Sequence, residues 1–193
     1  MHAAFIRINN TTMKLLIYSS IVIALTSCDT ASMYTDVETC NLDIAQAAES
    51  LHSWFIVYDP VYQKIDYPNG DVDSRRGVCT DVVIRALREV GIDLQVEVFK
   101  HRKSKGLKAD TNIDHRRVPN MCAFFRDSPK WELVEEAQPG DVIWWITPRG
   151  SNHVGVVTSN GKVMHNYGLG QRANVYPNAF SIHKIYRYKC VVK

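Results

Sequence analysis

The chain has 193 residues, of which 46% are hydrophobic and 22% charged, and its formal net charge is +3. That composition can bury one packed core and excludes a disordered or fibrous chain. Residues 1–28 hold Arg7 and Lys14 but no acid, so their removal leaves +1, too weak a balance for a nucleic-acid-binding face.

Met13-Lys14-Leu15-Leu16 and the apolar run to Leu25 form a basic n-region and an h-region too short to span a bilayer. The following Leu25-Thr26-Ser27-Cys28 resembles a bacterial lipobox, which implies Met13 as the true start and Cys28 as the lipid-bearing first residue of the mature chain. A plain cleaved signal peptide with an incidental cysteine stays open. Several acyl chains on one cysteine would hold the domain at a membrane, in the bacterial cell envelope and facing the periplasm or the exterior. Asp29 resembles an inner-membrane retention signal. The expected organisation is a signal peptide over 1–28, a polar tether over 29–41 and one folded domain over 42–193.

An exported chain meets an oxidising compartment, where Cys40 and Cys190, near the two ends of the mature chain, are candidates to pair. Cys122, among Met121, Phe124 and Phe125, reads as a buried small hydrophobe. No cysteine pair has zinc-site spacing, so no structural metal is expected.

Leu42, Ala45, Ala48, Leu51 and Phe55 recur at helical spacing. Tyr58 to Asp73, with two prolines and Asn69-Gly70, reads as an ordered loop able to line a site. Val82, Val83, Ala86, Leu87 and Val90 then make an apolar helical stripe, with Arg85, Arg88 and Glu89 expected to face water and Gly91 as the stop. Further helices are predicted around Leu94–Lys103 and after Pro119, separated by a polar loop over Asp110–Arg117. The basic run from Lys100 to Lys108 reads as a solvated face or a contact for an anionic wall or lipid. Trp131–Val134, Asp141–Ile146, His153–Thr158, Lys162–Asn166 and Lys184–Tyr188 read as strands between turn signals. Helices first and antiparallel strands second predict an α+β domain.

Cys79 stands in the first turn of the clearest helix, where unsatisfied N–H groups favour a thiolate. An ordinary thiol titrates near about 8.5, so a nucleophile also needs an imidazole. His52 and His101 fall in helical patterns, whereas His153 opens the strand His153-Val154-Gly155-Val156-Val157. Gly155 shares its face and would leave space there for a substrate or a facing helix. A hydrogen-bonded strand histidine without chemistry is the alternative.

The cysteine at a helix start, followed by Gly140-Asp141-Val142-Ile143 and His153-Val154-Gly155-Val156, resembles the NlpC-type cell-wall peptidases of the papain-like superfamily. The fuller string resembles the YijF-like bacterial domain-of-unknown-function family 1287: Tyr58-Asp59-Pro60, Asp66 to Asp71, Arg76 to Asp81 and Thr111 to Asn120. The resemblance implies a papain-like fold and a third polar residue that orients the catalytic histidine from the next strand. His165 and Asn166 are the candidates, and hairpin register decides between them. A two-residue Asn160-Gly161 turn would put Asn166 on the His153 face, and a three-residue Ser159-Asn160-Gly161 loop would put His165 there. The superfamily's spacing between its two histidines favours His165. The Val78-Cys79-Thr80 context departs from the usual Asp-Cys-Ser, and Thr111–Asn120 has no counterpart in those enzymes.

The expected activity is therefore amide hydrolysis in peptidoglycan peptides by a monomer. Cys79 is the nucleophile held as a thiolate by His153, His165 (or Asn166) fixes the ring tautomer, and the Cys79 N–H helps bind the oxyanion. Tyr58 or Tyr67 would complete the site, and Asp114, His115, Arg116 and Arg117 would bind substrate carboxylates or form an internally satisfied loop. No metal or organic cofactor is required. The alternatives are an acyltransferase or thioesterase on the same Cys–His scaffold and a non-catalytic wall-binding lipoprotein.

Overall fold

The computed structural model describes residues 30–190, with side chains from residue 40 onward. The signal peptide, Met13, the lipobox and Cys28 lie outside the described residues. Four helices, α1 (Thr30–Ser50), α2 (Cys79–Glu89), α3 (Leu94–Ser104) and α4 (Val118–Asp127), precede most of the sheet. Two short strands, β1 (Val57–Tyr58) and β2 (Arg76–Gly77), form a parallel ribbon. Six others build the main sheet: β3 (Trp131–Val134), β4 (Val142–Ile146), β5 (Asn152–Val157), β6 (Val163–Asn166), β7 (Gln171–Val175) and β8 (Ser181–Tyr188). Their order is β3-β8-β4-β5-β6-β7, antiparallel throughout. The domain is α+β, with N-terminal helices packed on an antiparallel sheet.

The sheet is buried on both faces. Val142, Val154, Val156, Met164 and Tyr186 meet Leu87, Met121 and Phe125 of the helices, while Ile143, Trp145, Val157, Val163 and Ile185 form a second cluster with Phe180. Helix α2 runs through the middle of this arrangement, and its Val82, Val83, Ala86 and Leu87 are fully buried. Gly91, at φ +81°, ends it where a left-handed residue is needed.

Three expectations change. The stretch read as a tether is helical from Thr30, because no proline or glycine interrupts Thr30–Ser50. From Cys40 the chain is already part of the domain, through a Cys40–Cys190 disulfide (Cα–Cα 6.0 Å) and an Asn41 Nδ2 donation of 3.2 Å to the Tyr188 carbonyl. At its other end α1 stops at Ser50, since Ser53 exchanges backbone hydrogen bonds of 2.9 and 2.8 Å with Gln171. Phe55, expected on the buried stripe, is 86% exposed. Finally, Arg85 and Arg88 do not face water. The 59–73 loop folds over them, and Asp71 Oδ2 pairs with Arg85 Nε at 2.9 Å and Arg88 Nη1 at 2.8 Å. Strand β7 escaped prediction because Gln171-Arg172-Ala173-Asn174-Val175 shows no apolar alternation.

The disulfide closes a loop of 150 residues, which stabilises the fold by up to about 5 kcal/mol through restriction of the unfolded chain. Reduction, or Cys190→Ser, is expected to lower the thermal midpoint. Calorimetry with and without reductant checks this, and an unchanged midpoint contradicts it.

Candidate active site

The start of α2 is fixed by a carboxylate. Asp81 Oδ2 accepts the Val78 N–H at 2.6 Å, capping the helix from its third position, and Arg116 meets Asp81 with Nε at 2.8 Å and Nη2 at 2.9 Å. Both side chains are buried, so the charges are taken from water only because a bidentate partner satisfies each of them. Thr80 Oγ1 donates to the Arg116 carbonyl at 3.0 Å, and Arg116 Nη2 reaches the Asp59 carbonyl at 3.4 Å. One guanidinium thus ties the helix start, the 3-10 turn at Asp114–Arg116 and the loop after Tyr58 into one unit.

That unit is docked on β5 and β6. Thr158 N–H donates to Lys162 O at 2.7 Å and Gly161 has φ +77°, so the hairpin loop is the three-residue form. The paired residues are Val156 with Met164 and Val157 with Val163, and both strands continue beyond them. At that end Asn166 Nδ2 donates to the Gly77 carbonyl at 3.1 Å, and Asn166 Oδ1 accepts from Gly168 N–H at 3.1 Å. Asn166 therefore anchors the loop before Cys79 and does not meet His153. The Val154 N–H, the amide of the peptide bond that follows His153, acts on the Cys79 thiol together with the N–H groups of Thr80 and Cys79, each favouring the anion.

The histidines form a chain. His153 Nε2 lies 2.9 Å from His165 Nδ1, and His165 Nε2 lies 3.0 Å from Asn174 Oδ1. Trp145 stacks on His153 at 5.6 Å and 12°, and Tyr167 meets its ring edge-on at 5.0 Å. Nε2 of His153 is engaged by His165, which leaves Nδ1 as the other nitrogen of that ring. The space over Gly155 is not open: a Cβ there would meet Val163 Cγ1 at 2.6 Å, Met164 O at 2.7 Å and His165 Cβ at 3.1 Å. The glycine lets β6 close in and bring His165 to His153, rather than admitting a substrate or helix.

Burial works against the expected thiolate. Burial pushes the Cys79 thiol up to about 11, despite the three N–H groups that favour the anion. Burial, with the neighbouring His165, pulls His153 down to about 3. Burial lowers His165 as well. Burial thus favours the neutral form of both the thiol and the imidazole.

Cys79 is 4% exposed but borders a cleft of about 610 Å³ lined by Tyr58, Tyr62, Val78, Arg117, Pro119 and Asn152. A second arm of about 610 Å³, bounded by Arg149, Tyr167 and Phe180, shares Tyr58 and Ser151 with the first. The Tyr58 hydroxyl is hydrogen-bonded to Cys79, and burial with the adjacent sulfur raises its own titration to about 12. Tyr67 is elsewhere, against the Phe99 ring at 5.6 Å on α3. Asp114 is internal: its Oδ2 pairs with Arg102 Nε at 2.9 Å and accepts the Asp110 N–H at 2.7 Å, and its Oδ1 accepts from Asn120. His115 is buried away from the cleft, with burial lowering its pKa to about 4. Arg116 lines the cleft but is committed to Asp81. The Thr111–Asn120 loop thus spends Asp114, Arg116 and Asn120 internally, while His115 Nδ1 is buried without a hydrogen-bond partner among the described residues, and Arg117 is its freer cation, 3.7 Å from Asp114 Oδ1. Sequence reasoning missed Asn174, Ser151 and Asn152. The first lies on the unpredicted β7, and the other two lie in the turn and first residue before His153, where only proximity to that histidine could have marked them.

His115, His153 and His165 are all held neutral by burial. Below about 6.5 the unfolded chain takes up protons that the folded chain refuses. Their contribution to stability is therefore full above that value and is lost as pH falls toward the folded values. The thermal midpoint should drop between about pH 7 and pH 4, and the drop should be shallower in His115→Gln. Scanning calorimetry across that range checks this, and a flat profile contradicts it.

A family model described as a domain of unknown function, DUF1287, matches residues 44–188. The uncharacterized protein YijF of Escherichia coli (strain K12) is 39% identical over 149 residues, 67% of this chain and 73% of that protein. Among solved structures, NlpC1 from Trichomonas vaginalis overlaps at a TM-score of 0.45 and 16% identity, over 77% of this chain and 44% of its own. The P60 domain of an antigen from M. avium subspecies paratuberculosis overlaps at 0.47 and 12% identity, over 80% and 98%. The family match spans the start of α2, the β5–β6 hairpin and the loops that bound the cleft, and the chain belongs to the DUF1287 family.

Proposed function

We propose that this chain is a cysteine hydrolase that cleaves an amide bond in peptidoglycan peptides, held in the bacterial envelope by lipid on Cys28 and acting as a monomer. The observation that supports the reading is the His153–His165 pair at 2.9 Å on the strand whose next residue, Val154, presents its N–H to the Cys79 thiol at the edge of the cleft. The sequence resemblance to NlpC-type peptidases supports the substrate class.

With both groups neutral at rest, the thiol attacks as its proton leaves. His153 Nδ1 takes the proton while sulfur bonds to the carbonyl carbon and the carbonyl electron pair moves to oxygen. The N–H of Cys79 is a donor for that oxyanion. On collapse the C–N bond breaks, the His153 proton passes to the leaving amine, and a thioester remains on Cys79. Water then attacks the thioester, giving its proton to His153, and the C–S bond breaks as His153 returns that proton to the departing thiolate. Tyr58, hydrogen-bonded to the sulfur and shared by both cleft arms, positions the thiol between the two halves of the substrate.

One observation favours a non-catalytic wall-binding protein instead: the thiol is nearly covered and its titration is raised to about 11. Digestion of purified peptidoglycan by wild type and Cys79→Ala, read by mass spectrometry, separates the two. The hydrolase reading expects new amine and carboxyl ends from wild type alone, with a loss of at least about 10³-fold in the variant. Identical product profiles would leave only the binding reading. In bacteria producing the full chain, Cys28→Ala is expected to shift the protein from the membrane to the soluble fraction, and unchanged fractionation removes the lipid anchor.

A further inference from the structure

We propose that Asn174 is a positioning residue whose side-chain oxygen, through His165, sets the tautomer of His153 and leaves Nδ1 of that ring unprotonated. The inference rests on the hydrolase reading for its purpose but not for its geometry.

Two observations carry it. The first is the polarity of the hydrogen-bond chain. An amide oxygen only accepts, so His165 Nε2, 3.0 Å from Asn174 Oδ1, carries hydrogen. A neutral imidazole has one N–H, so His165 Nδ1 is an acceptor. At 2.9 Å its partner, His153 Nε2, must then be the donor, and the lone pair of His153 falls on Nδ1. Rotating the amide to present Nδ2 would reverse every bond in the chain. Nδ1 of His153 would then carry hydrogen and could not accept one from a thiol. A second histidine alone does not choose between these polarities, because imidazole reads the same from either end.

The second observation is the backbone that aims the amide. Along the β6–β7 ladder Met164 pairs with Ala173 and Val163 with Val175, so Asn174 is the extra residue of a β-bulge. A bulge releases one residue from the ladder and turns its side chain. The residue turned here is exposed and has no core to fill. His165 itself pairs with Arg172, two positions before Asn174. Alternation from Arg172 puts Asn174 on the face of His165, and the bulge frees it there from pairing with β6.

Nitrogen-15 spectra of the histidine side chains read this directly, without requiring catalysis. In the wild-type chain at about pH 9, Nε2 of both His153 and His165 should be protonated and both Nδ1 atoms bare. Asn174→Asp keeps an acceptor and should preserve that pattern. Asn174→Ala removes it, so the two polarities compete, and the His153 Nδ1 resonance should move roughly halfway toward the protonated position. Asn174 is exposed, so the Ala variant should fold, as circular dichroism would verify. The proposal is overturned if Asn174→Ala leaves all four nitrogens unmoved, or if wild-type His153 carries its proton on Nδ1. If the nitrogens follow Asn174 while wild type leaves peptidoglycan intact, the hydrolase reading fails and the positioning role stands.

Discussion

The buried pair of Asp81 and Arg116 holds this site together. Asp81 caps the helix that begins with Cys79, and Arg116 carries the 3-10 turn and reaches the loop after Tyr58, so the thiol, the cleft wall and the neighbouring phenol share one charge-assisted junction. Leaving either charge buried without its partner would cost about 3–5 kcal/mol, a large part of the stability of a domain this size. The sulfur is therefore positioned by polar contacts that the apolar core alone could not supply. The β5–β6 hairpin meets this junction at two points, the Val154 amide on the sulfur and the Asn166 amide on Gly77.

Position and ionisation separate in this site. A helix start lowers a thiol's pKa only by the fields of a few N–H groups, and burial opposes it with a larger effect. Burial prevails for Cys79 and for His153 alike, so the pair rests uncharged. Under the proposed hydrolase mechanism, proton transfer accompanies attack instead of preceding it, and the direction in which His153 presents its lone pair becomes decisive. That direction is set at a distance, by a relay running across three adjacent strands, β5, β6 and β7.

Much of this was legible in the residues. The apolar stripe of α2, the glycine that ends it and the strand beginning at His153 follow from period and turn chemistry alone. The hairpin register was left between two turns, and the structure takes the one in which Gly161 supplies the positive φ. What stayed hidden depends on tertiary partners. Arg85 and Arg88 look solvent-facing until the 59–73 loop brings Asp71 over them. The polar run Asp114-His115-Arg116 has the composition of a ligand-binding loop, yet it is spent on Arg102, on burial and on Asp81. Gly155 looked like a vacancy because its neighbour across the strand could not be seen. Asn174 had no signal at all, since a bulge is a property of two strands together and one of them has no apolar pattern.

The claim on which the account turns is that Cys79 becomes covalently acylated. Intact-protein mass spectrometry, on wild-type chain mixed with wall peptides and quenched in acid within its turnover, measures this directly. The account predicts a mass increase equal to the acyl portion of the substrate, mapped by proteolysis to the peptide that contains Cys79. Substrate consumed while that cysteine stays unmodified throughout the time course would contradict it.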